Sequence, residues 1–196
     1  HLDFHHGSLK VITHAGQWQR PIALGILDDH SRLCCHLQWY VSETAEDLVH
    51  GFSQALQKRG LPRALLTDNG AAMVSEEFTE GLLSLGIVHE KTLVYSPYQN
   101  GKQERLWATM EGRLMEMLGG VAELRLDFLN EATQAWMELE YNRTVHRELS
   151  MSPVERFSKA PDVLRASPSS DTLREAFRLQ TTRAQRQSDG TISLSG

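Results

Sequence analysis

The sequence predicts an α/β fold: three antiparallel strands, then βα units, in one mixed five-stranded sheet flanked by helices. Three observations predict it. The first 41 residues hold three strand-like runs separated by turn signals. From Ala45 the apolar spacing becomes helical, and short strands and helices then alternate as far as Thr92. Two amphipathic helical patterns follow, over 102–118 and 127–142.

The elements can be justified in order. "HLDFHH" reads as a strand with Asp3 inside it, and "QRPIALGILDD" as a buried strand ending at Asp28-Asp29. Residues 7–19 between them read as a longer loop. "RLCCHLQWYV" sets Leu33, Cys35, Leu37, Trp39 and Val41 against Cys34, His36, Gln38 and Tyr40, which predicts a half-buried strand. His30-Ser31 marks the turn before it. Ala45, Leu48, Val49, Phe52, Ala55 and Leu56 form one helical stripe closed by Gly60 and Pro62. "RALLTDNG" is a short strand running into an Asp-Asn-Gly turn. Phe78, Leu82, Leu83 and Leu85 make a short helix stopped by Gly86, and "IVHEKT" is a further strand. Leu106, Met110, Leu114, Met117 and Leu118 stripe the next helix, which Gly119-Gly120 stops. Phe128, Ala132, Ala135, Trp136 and Leu139 stripe the one after. "ASPSSD" reads as linker, and Asp189-Gly190 near the end is a hairpin signal. The expected organisation is a core over 1–157, a linker over 158–172, and a tail over 173–196 that opens a truncated C-terminal β domain. A chain starting at His1 reads as an excised fragment.

Bulk numbers narrow the class. The chain is 40% hydrophobic and 23% charged, ordinary for a soluble globular domain. Its apolar runs fall short of the roughly 18 residues of a membrane span. Cys34 and Cys35 are adjacent and have no third cysteine, which excludes a disulfide framework and a zinc knuckle and suits a reducing compartment. Residues 1–156 hold 14 Lys+Arg against 21 Asp+Glu, a balance of −7, so charge alone gives this body little grip on nucleic acid.

Three carboxylates stand out by position. Asp3 lies in the first strand, Asp68 ends the strand "ALLTD", and Glu104 sits in the first turn of the helix after "SPYQNG". The apolar stripe of that helix centres roughly 100° from Glu104, which places Glu104 at the edge of the buried face. Singly, each has an ordinary role: an Asp at a strand end shapes a turn, and a Glu in a first turn complements the helix dipole. Together, carboxylates gathered near one another repel unless a cation compensates them. Mg²⁺ prefers such oxygen ligands, and two ions ~4 Å apart suit phosphoryl transfer.

In order and context, these residues resemble DDE transposases and retroviral integrases, which have an RNase H-like core. Asp68 and Glu104 are separated by 35 residues, and "LLTDNG", "SPYQNGKQER" and "LDDHSR" match the family's flanking words. Tyr141-Asn142, His146 and Ser152-Pro153 resemble the bacterial insertion-sequence branch. The likeness covers residues 1–157. It implies that Asp3, Asp68 and Glu104 are catalytic and bind metal: Mg²⁺, with Mn²⁺ as a substitute, and two ions in the active complex. It implies DNA partners (element ends and target) and a homo-oligomer in the active complex, with no membrane and no small-molecule substrate. The implied location is the bacterial cytoplasm, at the nucleoid when active.

The loop before Glu104 then makes sense. Gly101 lets backbone approach DNA, and Asn100, Lys102 and Arg105 can meet phosphates. Asp28 and Asp29 read as structural. His1, Asp3 and His5 share a strand face and could mimic a metal site, with Asp3 the preferred ligand. The segment from Tyr141 to Pro153 reads as packing and a helix exit. Viral integrases tend to place lysines where Ala108 and Glu111 stand here, so sequence-specific grip is expected upstream of His1. Two rivals stay open: a non-catalytic assembly module of the same fold, and a simple metal-dependent nuclease.

Overall fold

A computed structural model describes residues 1–93, 100–160 and 165–178. Its strands are β1 (Leu2–His6), β2 (Val11–Ile12), β3 (Trp18–Gln19), β4 (Ile22–Leu27), β5 (Cys34–Tyr40), β6 (Ala64–Thr67) and β7 (Val88–Lys91). The first, fourth and fifth form an antiparallel sheet in the order β1-β4-β5, with Asp3 opposite Gly25. β6 and β7 pair in parallel, and β6 lies beside β1. The five principal strands therefore have the expected directions, and their ladders group them as three plus two. The stretch read as a loop over 7–19 holds the small β2-β3 ribbon, which is too short to show as an alternating run.

The helices are α1 (Ala45–Arg59), α2 (Glu76–Ser84), α3 (Gly101–Met110), α4 (Glu116–Leu118), α5 (Leu126–Leu139), α6 (Pro153–Lys159) and α7 (Ser170–Ala176). Thr44 caps α1 by accepting from the Asp47 amide, and Ser75 caps α2 by accepting from that of Phe78. Gly60, at φ 85°, ends α1 in backbone that side chains avoid. One core cluster contains Leu24, Phe52, Phe78 and Leu82, between the sheet and α1 and α2. The other contains Trp39, Leu106, Trp107, Leu114 and Trp136, between the sheet and α3 to α5. Leu173 and Phe177, from the stretch read as tail, join the first cluster, and Phe177 stacks on Phe78. The hairpin signal at Asp189-Gly190 lies outside the described residues. Among the described residues, no helix is long and apolar enough to cross a membrane.

Three readings need correction. The β5 alternation breaks because Ile26 pairs with His36 while Leu27 pairs with Cys34, leaving Cys35 as an extra residue. Cys34 therefore joins Leu37 and Trp39 in the second cluster, while Cys35 packs on the first. Helices also cover both faces, so β5 is buried rather than half-buried, and even His36 is 2% exposed. Second, a π-helical turn, Glu111–Met115, joins α3 to α4. Its extra residue rotates the face, so Met115 is buried and Met117 is exposed.

Third, α5 is phased differently. Leu126, Leu129, Thr133, Trp136 and Met137 face inward, while Phe128 and Leu139 are exposed. The cause is polar service to the open edge of β5. Asn130 accepts from the Trp39 amide at 2.8 Å and donates to its carbonyl at 3.1 Å, and Thr133 accepts from the Trp39 indole at 2.8 Å. Asn142 brackets Cys34 in the same way, at 2.9 and 3.0 Å. These amides replace the strand that an open edge lacks.

His36 gives this interior a pH dependence. Lys58 donates to its Nδ1 at 3.3 Å, and its Nε2 meets Gln38 Oε1 at 3.2 Å. Burial, helped by the Lys58 charge, pushes its pKa down from 6.5 to about 3. The unfolded chain binds this proton below about pH 6.5 and the folded chain does not, so stability is full above that value and falls as pH drops toward 3. The loss from this group should reach about 1.4 kcal/mol per pH unit at most. Urea unfolding from pH 7 to pH 4.5 should show the slope, and His36→Gln should flatten it.

Candidate active site

Asp3 and Asp68 occupy the same region of the sheet because their strands are neighbours. Asp3 is half-buried in β1, and Asp68 follows the last residue of β6. The Asn69-Gly70 turn holds Asp68: its Oδ1 accepts from the Gly70 amide at 2.9 Å, and Asn69 donates to the Thr92 carbonyl at 3.1 Å. A Cβ on Gly70 would lie 3.1 Å from Asp68 Oδ1 and 3.6 Å from Glu43 Oε1, so Glu43 brings a further carboxylate beside Asp68.

Helix α3 is seated on Asp3 and Gly25 by three side chains. Gln103 donates to the Gly25 carbonyl at 3.1 Å, Trp107 Nε1 donates to Asp3 Oδ2 at 3.2 Å, and Asn100 Nδ2 donates to the same oxygen at 3.1 Å. The seat depends on Gly25, where a Cβ would lie 2.3 Å from Trp107 Cη2 and 2.9 Å from Gln103 Nε2. His5 stacks on Trp107 at 5.0 Å, and its Nε2 meets Glu111 Oε1 at 3.0 Å. The histidine beside Asp3 is thus engaged with an aromatic ring and a carboxylate. None of Gly25, Gln103, Trp107 or Glu43 was singled out from sequence. The available signal was a glycine inside an apolar strand, which marks close approach.

Glu104 is exposed in the first turn of α3. Trp107, about 60° from it around the helix, meets Asp3, but Glu104 does not complete a three-carboxylate group with Asp3 and Asp68 among the described residues. Lys102 pairs with Asp29, which His1 also contacts, and Arg105 is exposed. Asp28 accepts from the amide of Ser31 at 2.8 Å and from its hydroxyl, as a turn residue does.

Burial raises the Asp3 pKa; the Trp107 hydrogen bond opposes this, Asp68 adds to it, and Asn100 opposes it. Among the described residues, no three His, Cys, Asp or Glu side chains stand close enough together to hold a metal ion. The donor chemistry nonetheless fits a hard cation. Asp3 and Asp68 are all-oxygen donors that repel each other, and one of them is desolvated.

The fold is the RNase H-like architecture found in integrase catalytic cores. The integrase core domain family matches residues 6–97, a stretch that contains Asp68 and stops short of Asp3 and Glu104. The chain is 36% identical over 113 residues to the retrovirus-related Pol polyprotein from transposon TNT 1-94 of Nicotiana tabacum, covering 55% of this chain and 8% of that protein. It is 23% identical over 167 residues to the transposase for transposon Tn552 of Staphylococcus aureus, covering 76% of this chain and 35% of that one. The HTLV-2 integrase catalytic core domain, solved in complex with magnesium, aligns with a TM-score of 0.57 at 21% identity, over 81% of this chain and 94% of that one. The BIV integrase catalytic core aligns at 0.61 with 20% identity, over 81% and 93%. The chain thus spans a small part of the curated relatives and most of the solved catalytic cores.

Two measurements test the seat. Gly25→Ala should destabilise the protein by about 1–3 kcal/mol, the usual cost of overpacking, as read by denaturant unfolding. For Asp3 the sign follows from its raised pKa: the folded state holds the proton more tightly, so its stability falls as pH rises past 3.8. Asp3→Asn should therefore raise the melting temperature at pH 7 in EDTA and make little difference near pH 3. A lower melting temperature at pH 7 would mean that the carboxylate charge supports the fold.

Proposed function

We propose that this chain is the catalytic core of a DNA transposase or integrase, performing metal-dependent phosphodiester hydrolysis and DNA strand transfer. One observation carries the reading. Asp3 and Asp68 sit on neighbouring strands, and Asn100 and Trp107, which stand either side of Glu104 in the chain, both donate to Asp3. Family membership of the matched stretch and the all-oxygen donor set support it.

Asp3, Asp68 and Glu104 would hold Mg²⁺, with Mn²⁺ as substitute and two ions in the active complex. The ions supply the positive charge that favours an oxygen nucleophile and a departing alkoxide. The chain's own residues do the positioning. Asn100 and Trp107 meet one oxygen of Asp3 and turn its carboxylate, while the Gly70 amide fixes Asp68. Glu104 would complete the donor set from the start of α3. Water would first open a phosphodiester at the element end, and the freed 3′-hydroxyl would then attack target DNA.

Asn100, Lys102 and Arg105 are the proposed DNA contacts at the mouth of α3, and Lys102 must exchange Asp29 for phosphate. The partners are element ends and target, with a homo-oligomer as the active form and the bacterial nucleoid as the place of action. Structures of similar fold include dimeric and trimeric integrase cores and a viral intasome, which supports assembly. The division into core (1–157), linker (158–172) and C-terminal region (173–196) belongs to the same reading.

Asp3→Asn, Asp68→Asn or Glu104→Gln in the full-length enzyme should lower end cleavage and strand joining together, each by at least a hundredfold (about 2.7 kcal/mol). Asp28→Asn should change both much less. Cleavage without joining in the unmodified enzyme would favour the nuclease. A dead Asp28→Asn beside an active Asp3→Asn would refute the assignment.

A further inference from the structure

The face of β1 that carries Asp3 also carries His5. On the helix, Glu111 stands one turn beyond Trp107, where α3 runs into the π turn. The two repeats match: alternate residues of a strand lie about 6.8 Å apart, and residues four apart in a helix rise about 6 Å. Strand and helix therefore meet in two rungs, Asp3 with Trp107 at 3.2 Å and His5 with Glu111 at 3.0 Å. His5 also links the rungs. Its ring stacks on Trp107 at a centroid distance of 5.0 Å, with 16° between the planes. The proposed function uses Asp3 and Trp107 and leaves His5 and Glu111 without a task.

The stack matters because of what aims the indole. The outer torsion of a tryptophan side chain has broad minima, so packing decides where its N–H points. Gly25 receives the far edge of the ring, where an added Cβ would lie 2.3 Å from Cη2 and 3.0 Å from Cζ3. His5 covers a face of the same ring. Between them the ring has little room to turn, and Nε1 falls on Asp3 Oδ2. The outer torsion of His5 is equally soft, and Glu111 fixes it. A carboxylate here accepts, so His5 Nε2 carries the hydrogen between them. Ser8 holds Glu111 in turn: its amide donates to Oε1 at 3.2 Å and its hydroxyl to Oε2. The side chains of His5 and Glu111 are 27% and 24% exposed, so either can be changed without emptying the core.

We propose that His5 and Glu111 are positioning residues for Asp3: Glu111 sets the His5 ring, and the ring holds the Trp107 indole so that its N–H stays on one oxygen of the Asp3 carboxylate. The consequence for catalysis rests on reading Asp3 as a metal ligand, whereas the restraint itself needs no ion. Groups that orient a ligand from behind typically govern metal affinity by about 10- to 100-fold. His5 thus serves the site through Asp3 and is not itself a ligand. Glu111 links the loop after β1 to the orientation of a carboxylate two contacts away.

The first measurement is made on the 196-residue chain in EDTA, where no metal contributes. The indole N–H of Trp107, assigned with Trp107→Phe, should exchange with solvent faster in His5→Ala and in Glu111→Ala. Glu111→Gln should restore slow exchange, because its amide oxygen still accepts from His5 Nε2. The second measurement titrates Mn²⁺ alone. Glu111→Ala should weaken its binding about tenfold, the low end for a group acting through a ligand, and Glu111→Gln much less. Glu111→Ala should add nothing once Asp3→Asn is present. Indole exchange unchanged in Glu111→Ala, or raised equally in Glu111→Ala and Glu111→Gln, would overturn the proposal. A fall in unfolding stability with unchanged exchange would overturn it too, since Glu111 would then only clamp the loop after β1 to α3. Mn²⁺ binding that ignores Asp3→Asn would instead refute Asp3 as a metal ligand, and the exchange rates in EDTA would still decide the restraint.

Discussion

The contact between α3 and the β1-β4 pair is the constraint on which the rest depends. A helix can approach the strands this closely because Gly25 has no side chain, and it is locked there by the Gln103 amide and the Trp107 indole. The same approach covers Asp3. The packing that positions the helix also removes water from a carboxylate, and two donors on one of its oxygens compensate part of the loss. Position and electrostatics are therefore one property here. Any displacement of α3 would re-solvate Asp3 and move Glu104 together.

A second economy operates on the opposite side of the sheet. β5 ends the antiparallel ladder, yet its outer backbone is occupied by side-chain amides of Asn130 and Asn142 rather than by another strand. This keeps the edge from pairing with a second chain. It also fixes α5 in rotation, which turns Leu129, Trp136 and Met137 into the core cluster under the sheet. Polar bonds to the strand edge and apolar packing under the sheet therefore share one face of the helix.

Much of this was readable in the chain. Strand and helix identities follow from local periodicity, and the three carboxylates were visible as candidates by position: Asp3 within a strand, Asp68 at a strand end and Glu104 in the first turn of a helix. What escaped has a common cause. The extra residue at Cys35 is defined by its partner strand, and Gly25, Gln103 and Trp107 matter through contacts 78 and 104 residues apart in sequence. The phase of α5 was misread because Phe128 and Leu139 look like core, while Asn130 and Thr133 look like surface; inside, the polar pair is satisfied by Trp39. Periodicity counts apolar residues and cannot see where a backbone edge needs amides.

The π turn between α3 and α4 has a consequence for how this part of the chain can vary. By inserting one residue of rotation, it uncouples the azimuth of Glu104 and Trp107 from that of Leu118. The segment before it answers to the carboxylates, the segment after it answers to the apolar interior, and Glu111 pins the joint to His5 and Ser8. Drift in the downstream packing is absorbed at a hinge of phase and is not transmitted as a twist to the chemistry. A single continuous α-helix would have forced both ends to change in step.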